Sequence, residues 1–287
     1  MAVEAPRETP PPRFCAGPEM ALRALDSGET KARLPFLPTL FLALLAGIYI
    51  GLGANFYEIA KTGNQLGFGV QQILGGVCFS LGLILVGVGG AELFTGNTLI
   101  VMAWFSGRVS GRALLRNWAI VYLGNLLGSL LLVALVVASE QYTLADGAVG
   151  MTAVKIAATK CQLPFTVVLA RGILCNALVC LAVWLCYSAC STTDKVMAIL
   201  FPITGFVACG FEHCVANMYF IPLGMALKSL VPGVDLATSS ALTLRAFLVG
   251  NLLPATLGNI LGGALMVGGV YWVAYILPTV RRRTTPE

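Results

Sequence analysis

Charge is what this sequence lacks most. Only 11% of its 287 residues are Asp, Glu, Lys or Arg, while 57% are hydrophobic. A soluble globular domain carries roughly 25% charged residues. A chain this apolar cannot cover itself with a polar surface, so it is a membrane protein. At this length it holds about six or seven spans of ~20 residues with short connections. Basic patches that would grip nucleic acid are missing, and the net charge is only +5. One histidine is too few for a zinc site of the usual kind, and none of the nine cysteines is spaced as Cys-x-x-Cys. Cys78, Cys175, Cys180, Cys186 and Cys209 fall in apolar runs and are expected to be buried free thiols. No metal or other cofactor is implied. No Gly-x-Ser-Gly occurs, and Asp26, Asp146, Asp194 and Asp235 lie outside the apolar runs, which argues against an intramembrane serine or aspartyl enzyme. Residues 1–35 contain no apolar run, so no cleavable signal is expected and the first apolar segment is a retained span.

What is present divides simply. Residues 1–18 read as a disordered tail, 19–33 as an interfacial amphipathic helix, 34–278 as the transmembrane domain and 279–287 as a basic tail. The first span is expected over 34–57, with Glu58 and Lys61 marking its far end. An apolar region over 70–91 is interrupted by Glu92 and resumes over 99–105. A span over 118–138 is followed by a polar loop over about 141–163. A fourth span covers 165–187, with Arg171 inside it. A half-span over 196–209 is interrupted by Glu212 and His213 and resumes over 214–227, and after a loop over 228–245 the last span runs over 247–277. With six spans both termini share one side. That side would carry twelve basic residues (Arg7, Arg13, Arg23, Lys31, Arg33, Arg108, Arg112, Arg116, Lys195, Arg281, Arg282, Arg283) against six on the other (Lys61, Lys155, Lys160, Arg171, Lys228, Arg245). The excess places both termini in the cytoplasm.

The two interrupted regions match. Gly90-Ala91-Glu92 through Asn97 and Gly210-Phe211-Glu212 through Asn217 share the spacing G-x-E-x4-N. Later come Gly124-Asn125-Leu126-Leu127-Gly128 and Gly258-Asn259-Ile260-Leu261-Gly262. Each half, over about 34–138 and 164–278, reads as one full span, one broken span and one span bearing G-N-x-L-G. Three spans per half force opposite insertion, the inverted repeat of transporters and channels. Non-helical backbone at membrane depth is tolerated only where it is buried in protein or lines a polar cavity. Glu92 and Glu212 are expected to cap the breaks by accepting from freed N–H groups, with Asn97 and Asn217 as further structural residues of the breaks. The glycine pairs are expected as packing seams, and Asn125 and Asn259 as cross-helix bonds. A lone histidine is most often a satisfied core residue, but His213 stands at a break in a charge-poor span and is expected to face a pathway.

At these motifs the sequence resembles the formate/nitrite transporter family. The resemblance is carried by residues 89–98, by Gly172-Ile173-Leu174-Cys175-Asn176 and 178–184, by 210–218 and by 254–262, and it covers about 19–278. It implies an aquaporin-like all-α fold of six spans with the second and fifth broken. It also implies a homopentamer in the inner (plasma) membrane with one anion pathway per protomer, closer to formate than to nitrite members. Carried over by position, Phe79 and Leu83 on one half and Phe206 on the other form two hydrophobic constrictions. His213 lies between them, facing Thr95, with Asn176 nearby. Lys160 attracts anions in the outer vestibule, and Asn259 lies near the pathway. The expected substrate is a small monovalent anion of a weak acid, passing with proton assistance at His213. Nitrite or hydrosulfide is the alternative within the family. A water or neutral-solute channel would want Asn-Pro-Ala at both breaks, where this sequence has Gly96-Asn97-Thr98 and Ala216-Asn217-Met218.

Overall fold

The computed structural model describes residues 15–278, and within them there is no strand. The tail expected over 1–18 lies mostly outside the described residues, as does the basic tail over 279–287. Gly17 and Pro18, expected in the tail, already belong to the first helix, α1 (Gly17–Arg33). Then follow α2 (Phe36–Lys61), α3 (Phe68–Gly89), α4 (Phe94–Phe105, with a tighter turn at Thr98–Ile100) and α5 (Gly111–Ala138). The remaining helices are α6 (Ala148–Gln162), α7 (Phe165–Cys186), α8 (Thr192–Ala208), α9 (Cys214–Leu227), the short α10 (Leu236–Ala241) and α11 (Ala246–Ile276). Much of α11 is wound wider than an α-helix, with π segments at Ala246–Leu252, Leu261–Gly269 and Trp272–Ile276.

Five helices (α2, α3, α5, α7 and α11) are long and apolar enough to cross a membrane, whereas α4 and α9 are shorter apolar helices. The 141–163 region expected as a polar loop is largely helix α6, whose buried face of Val149, Ala153, Val154, Ala157 and Ala158 holds it against α9. The start of α8 also lies earlier than expected. Ser191 and Asp194 form a reciprocal capping box that carries the helix back to Thr192. Of the cysteines expected to be buried, Cys209 is exposed and Cys186 partly so, because each stands at a helix end where packing thins.

Packing is set by small residues. A Cβ on Gly128 would meet the Leu44 carbonyl oxygen at 2.0 Å, and one on Gly262 would meet the Ile173 carbonyl oxygen at 2.1 Å. These two positions let α5 lie directly on α2 and α11 directly on α7. Without a hydrophobic driving force between helices in lipid, such close backbone approach supplies the dispersion contact that holds them.

Candidate functional site

Helix α3 stops at Gly90, whose φ of +75° is the left-handed region that glycine enters without penalty, and α8 stops in the same way at Gly210, at +69°. Beyond each stop the chain runs extended for a few residues and a new helix begins at Phe94 or Cys214. The extended residues Glu92-Leu93 and Glu212-His213 are fully buried. Their backbone groups therefore need protein partners.

Both places supply the same partners. Phe94 N–H donates to Asn125 Oδ1 at 2.9 Å, and Cys214 N–H to Asn259 Oδ1 at 2.9 Å. Asn125 Nδ2 donates to the Ala43 and Glu92 carbonyls, and Asn259 Nδ2 to the Gly172 and Glu212 carbonyls. Each asparagine thus satisfies three backbone groups and ties the tip to a neighbouring span. This corrects the expectation for the glutamates, which take no backbone N–H. Glu92 accepts from Lys31 Nζ at 2.7 Å and Asn97 Nδ2 at 2.6 Å, and Glu212 accepts from Lys160 Nζ at 2.8 Å and Asn217 Nδ2 at 2.7 Å. A neutral cap suits a buried helix start, while the lysines offset the carboxylates.

Asn117, Asn251 and the pairing of Lys31 with Glu92 are not among the expected features of the breaks. Asn97 Nδ2 also donates to Asn117 Oδ1, and Asn217 Nδ2 to Asn251 Oδ1. For the asparagines the signal was available: Asn117/Asn125 and Asn251/Asn259 repeat the spacing N-x7-N.

The halves differ where His213 replaces Leu93. His213 Nδ1 accepts the Ala216 N–H at 3.1 Å and so caps its own helix. A nitrogen that accepts carries no proton, so the imidazole hydrogen sits on Nε2. Nε2 lies 3.0 Å from Thr95 Oγ1 on the opposite tip and donates to it. The Thr95 carbonyl accepts from Thr98 Oγ1 and Asn176 Nδ2, and Asn176 Nδ2 also donates to the Asn259 carbonyl at 2.6 Å. Asn176 and Asn259 therefore stand behind the tips and lash them together, and neither lines either of the two cavities that flank the tips.

Two cavities flank the tips. The first, about 390 Å³, is lined by Tyr57, Phe79, Phe206, Phe211, His213 and Phe220, with Lys61, Lys155, Lys160, Arg171 and Glu212. The second, about 340 Å³, is lined by Leu83, Leu93, Ile100, Val183 and Ile199, with Lys31, Lys195 and Glu92. Cations outnumber carboxylates in both. Phe79 meets Phe206 edge-on at 5.6 Å between ring centroids, and Phe206 lies over the His213 ring at 5.9 Å. The pairing of apolar residues thus differs from the expected one: Phe79 belongs with Phe206, and Leu83, one turn further along α3, belongs with Leu93. The reason is that α3 packs along α8, so residues at one depth on both helices share a wall. Among the described residues no cluster of His, Cys, Asp or Glu could hold a metal ion.

A family model described as formate/nitrite transporter matches residues 18–273. The chain is 44% identical over 265 residues to the formate channel FocA of Escherichia coli strain K12, covering 90% of this chain and 93% of that protein. It is 39% identical over 259 residues to the formate channel FocA of Haemophilus influenzae, covering 86% and 91%. Among solved structures, a pentameric formate channel with formate bound superimposes with a TM-score of 0.79 at 44% identity, covering 84% of this chain and 98% of that one.

Proposed function

The chain belongs to the formate/nitrite transporter family, and from that premise we propose that it is a transmembrane channel or transporter for small weak-acid anions, formate first among them. It is not an enzyme in this reading. The similarity to proteins named formate channels supports formate, and the family's name keeps nitrite as the alternative. The likeness to a pentameric structure supports a homopentamer with one pathway per protomer.

In this reading α2, α3–α4 and α5 form one half and α7, α8–α9 and α11 the other, inserted oppositely, with the second and fifth of six spans broken. The matched asparagine, glutamate and lysine bonds support it, and α8 with α9 makes up the broken fifth crossing. The grouping of Lys31 and Lys195 about one cavity and of Lys61, Lys155, Lys160 and Arg171 about the other supports the sidedness expected from charge, with both termini cytoplasmic in the plasma membrane.

The observation that carries the function is the His213–Thr95 contact, standing between two basic cavities and bounded by Phe79/Phe206 on one side and Leu83/Leu93 on the other. The basic lining concentrates an anion at each mouth. A bare anion entering the apolar rings is stripped of water at large cost, which protonation removes. His213 presents an Nε2 proton toward the pathway. Passing it on requires Nδ1 to take another, and that breaks the Ala216 cap, so proton movement is coupled to release of the tip. The test is uptake of formate, nitrite, hydrosulfide and lactate into liposomes across pH, with wild type and His213→Phe. A pH profile of formate uptake that is the same in the variant as in wild type would remove His213 from the mechanism.

A further inference from the structure

Three carboxyl groups are fully buried among the described residues: Glu58, Glu92 and Glu212. Two of them hold a lysine. Glu58 marks the far end of the first span, and there it lies inside, 1% exposed. Its Oε1 has no hydrogen-bond partner, and its Oε2 receives only the Tyr219 hydroxyl at 3.4 Å. No cation stands within 4 Å of it among the described residues.

The groups around it are accounted for. On its own helix, Tyr57 lines the first cavity, and Lys61 is held by Gln71 and Gln72 of α3. From α9 comes Tyr219, whose oxygen also accepts from Asn55 Nδ2 at 2.9 Å. Beyond α5, Gln141 exchanges two bonds with Asn55, and Glu140 is exposed. From α6, Lys155 and Lys160 line the cavity, and Lys160 is engaged by Glu212. An ionised carboxylate at Glu58 would have neither a counter-ion nor a second donor, which the interior tolerates poorly.

We propose that Glu58 is a proton-binding site behind the wall of the first cavity, next in the chain to the lining residue Tyr57 and separate from the His213–Thr95 pair, and that its charge controls anion entry. With its proton Glu58 is neutral, and the basic lining acts on an approaching anion unopposed. Without it, a second negative charge joins Glu212 behind Tyr57, and the attraction weakens. Tyr219 links this state to α9, the helix that His213 caps. Acidification on this side therefore favours anion entry.

The proposal rests on the transport reading for its effect on flux, but not for the proton itself. Glu58→Gln fixes the neutral form. Flux of formate through the full-length protein in liposomes should match wild type at the acid end and exceed it, by several-fold, as pH rises. The infrared band of a protonated carboxylic acid should be present in wild type and lost in the variant. Profiles that superimpose at every pH, or a band that survives in Glu58→Gln, overturn the proposal. If neither protein moves formate at any pH, the transport reading fails while the infrared titration still decides whether Glu58 binds the proton. Should Glu58→Gln not assemble, Tyr219→Phe removes the one donor and keeps the carboxyl. The pH at which the band titrates should then shift, and an unmoved band overturns the proposal.

Discussion

His213 Nε2 and Thr95 Oγ1, 118 residues apart in sequence, lie 3.0 Å apart and join the N-terminal tips of α4 and α9. Thr95→Val keeps the shape and removes the acceptor, leaving a buried N–H without a partner at a cost of roughly 1–3 kcal/mol. The expected result is a folded protein whose pH profile for formate moves, whereas His213→Phe loses the pH linkage that runs through the tips and keeps only what Glu58 contributes. Liposome uptake across pH measures both.

The two capping asparagines should be equivalent. Asn125→Leu and Asn259→Leu each leave three buried backbone groups unpaired, and each is expected to lower stability by several kcal/mol, on the order of 1–3 per group before relaxation. Thermal unfolding of the purified assembly in detergent should show similar drops in Tm. A drop in only one of them would mean the two tips are not held alike.

Lysine removal should separate structure from transport. Lys31→Met and Lys160→Met each strand a buried carboxylate, an effect of about 3–5 kcal/mol when one partner of a buried pair is lost. Adding Glu92→Gln or Glu212→Gln to the matching variant should restore most of the stability. Anion capture at the first cavity should stay impaired in the Lys160→Met/Glu212→Gln double variant, seen as a raised half-saturation concentration for formate.

The glycine seams admit no methyl group. Gly128→Ala and Gly262→Ala drive a Cβ to about 2 Å from a carbonyl oxygen, and overpacking costs typically 1–3 kcal/mol or more. Both variants should assemble poorly, as read by size-exclusion chromatography after extraction.

The α8 capping box gives a pH signature outside the spans. Backbone N–H groups of Cys190 and Ser191, with the Ser191 hydroxyl, hold the Asp194 carboxyl below its ordinary range. A depressed carboxyl stabilises the fold above its unfolded value of about 4 and loses that contribution as pH falls through the lower folded value. Hydrogen exchange in the first turn of α8 should therefore be pH-insensitive above about pH 5, apart from intrinsic rates, and should accelerate below about pH 4. Asp194→Asn should abolish that step.

How much was legible varies along the chain. The breaks at Glu92 and Glu212 could be read because glycine, glutamate and asparagine recur at one spacing inside otherwise apolar runs. Helix α6 was misread as a loop because its buried face is mostly alanine, valine and glycine, too weakly apolar to stand out beside the spans. Lys31 was seen as one of many basic flanking residues. Nothing local marks which flanking lysine folds back onto a carboxylate.

By itself the sequence determined that the chain lies in a membrane, where its long apolar helices run, where two of the apolar runs are interrupted, and that His213 stands where the other half has leucine. These follow from local composition and from periodicity that any window of the chain carries. Only the tertiary structure decided the partners: asparagine rather than glutamate on each freed N–H, Phe79 against Phe206 rather than Leu83, and Glu58 buried without a cation at the far end of the first span. Such choices depend on which helices lie at the same depth and how closely their glycines let them approach, and that distance is a property of the packed assembly of helices, not of any one of them.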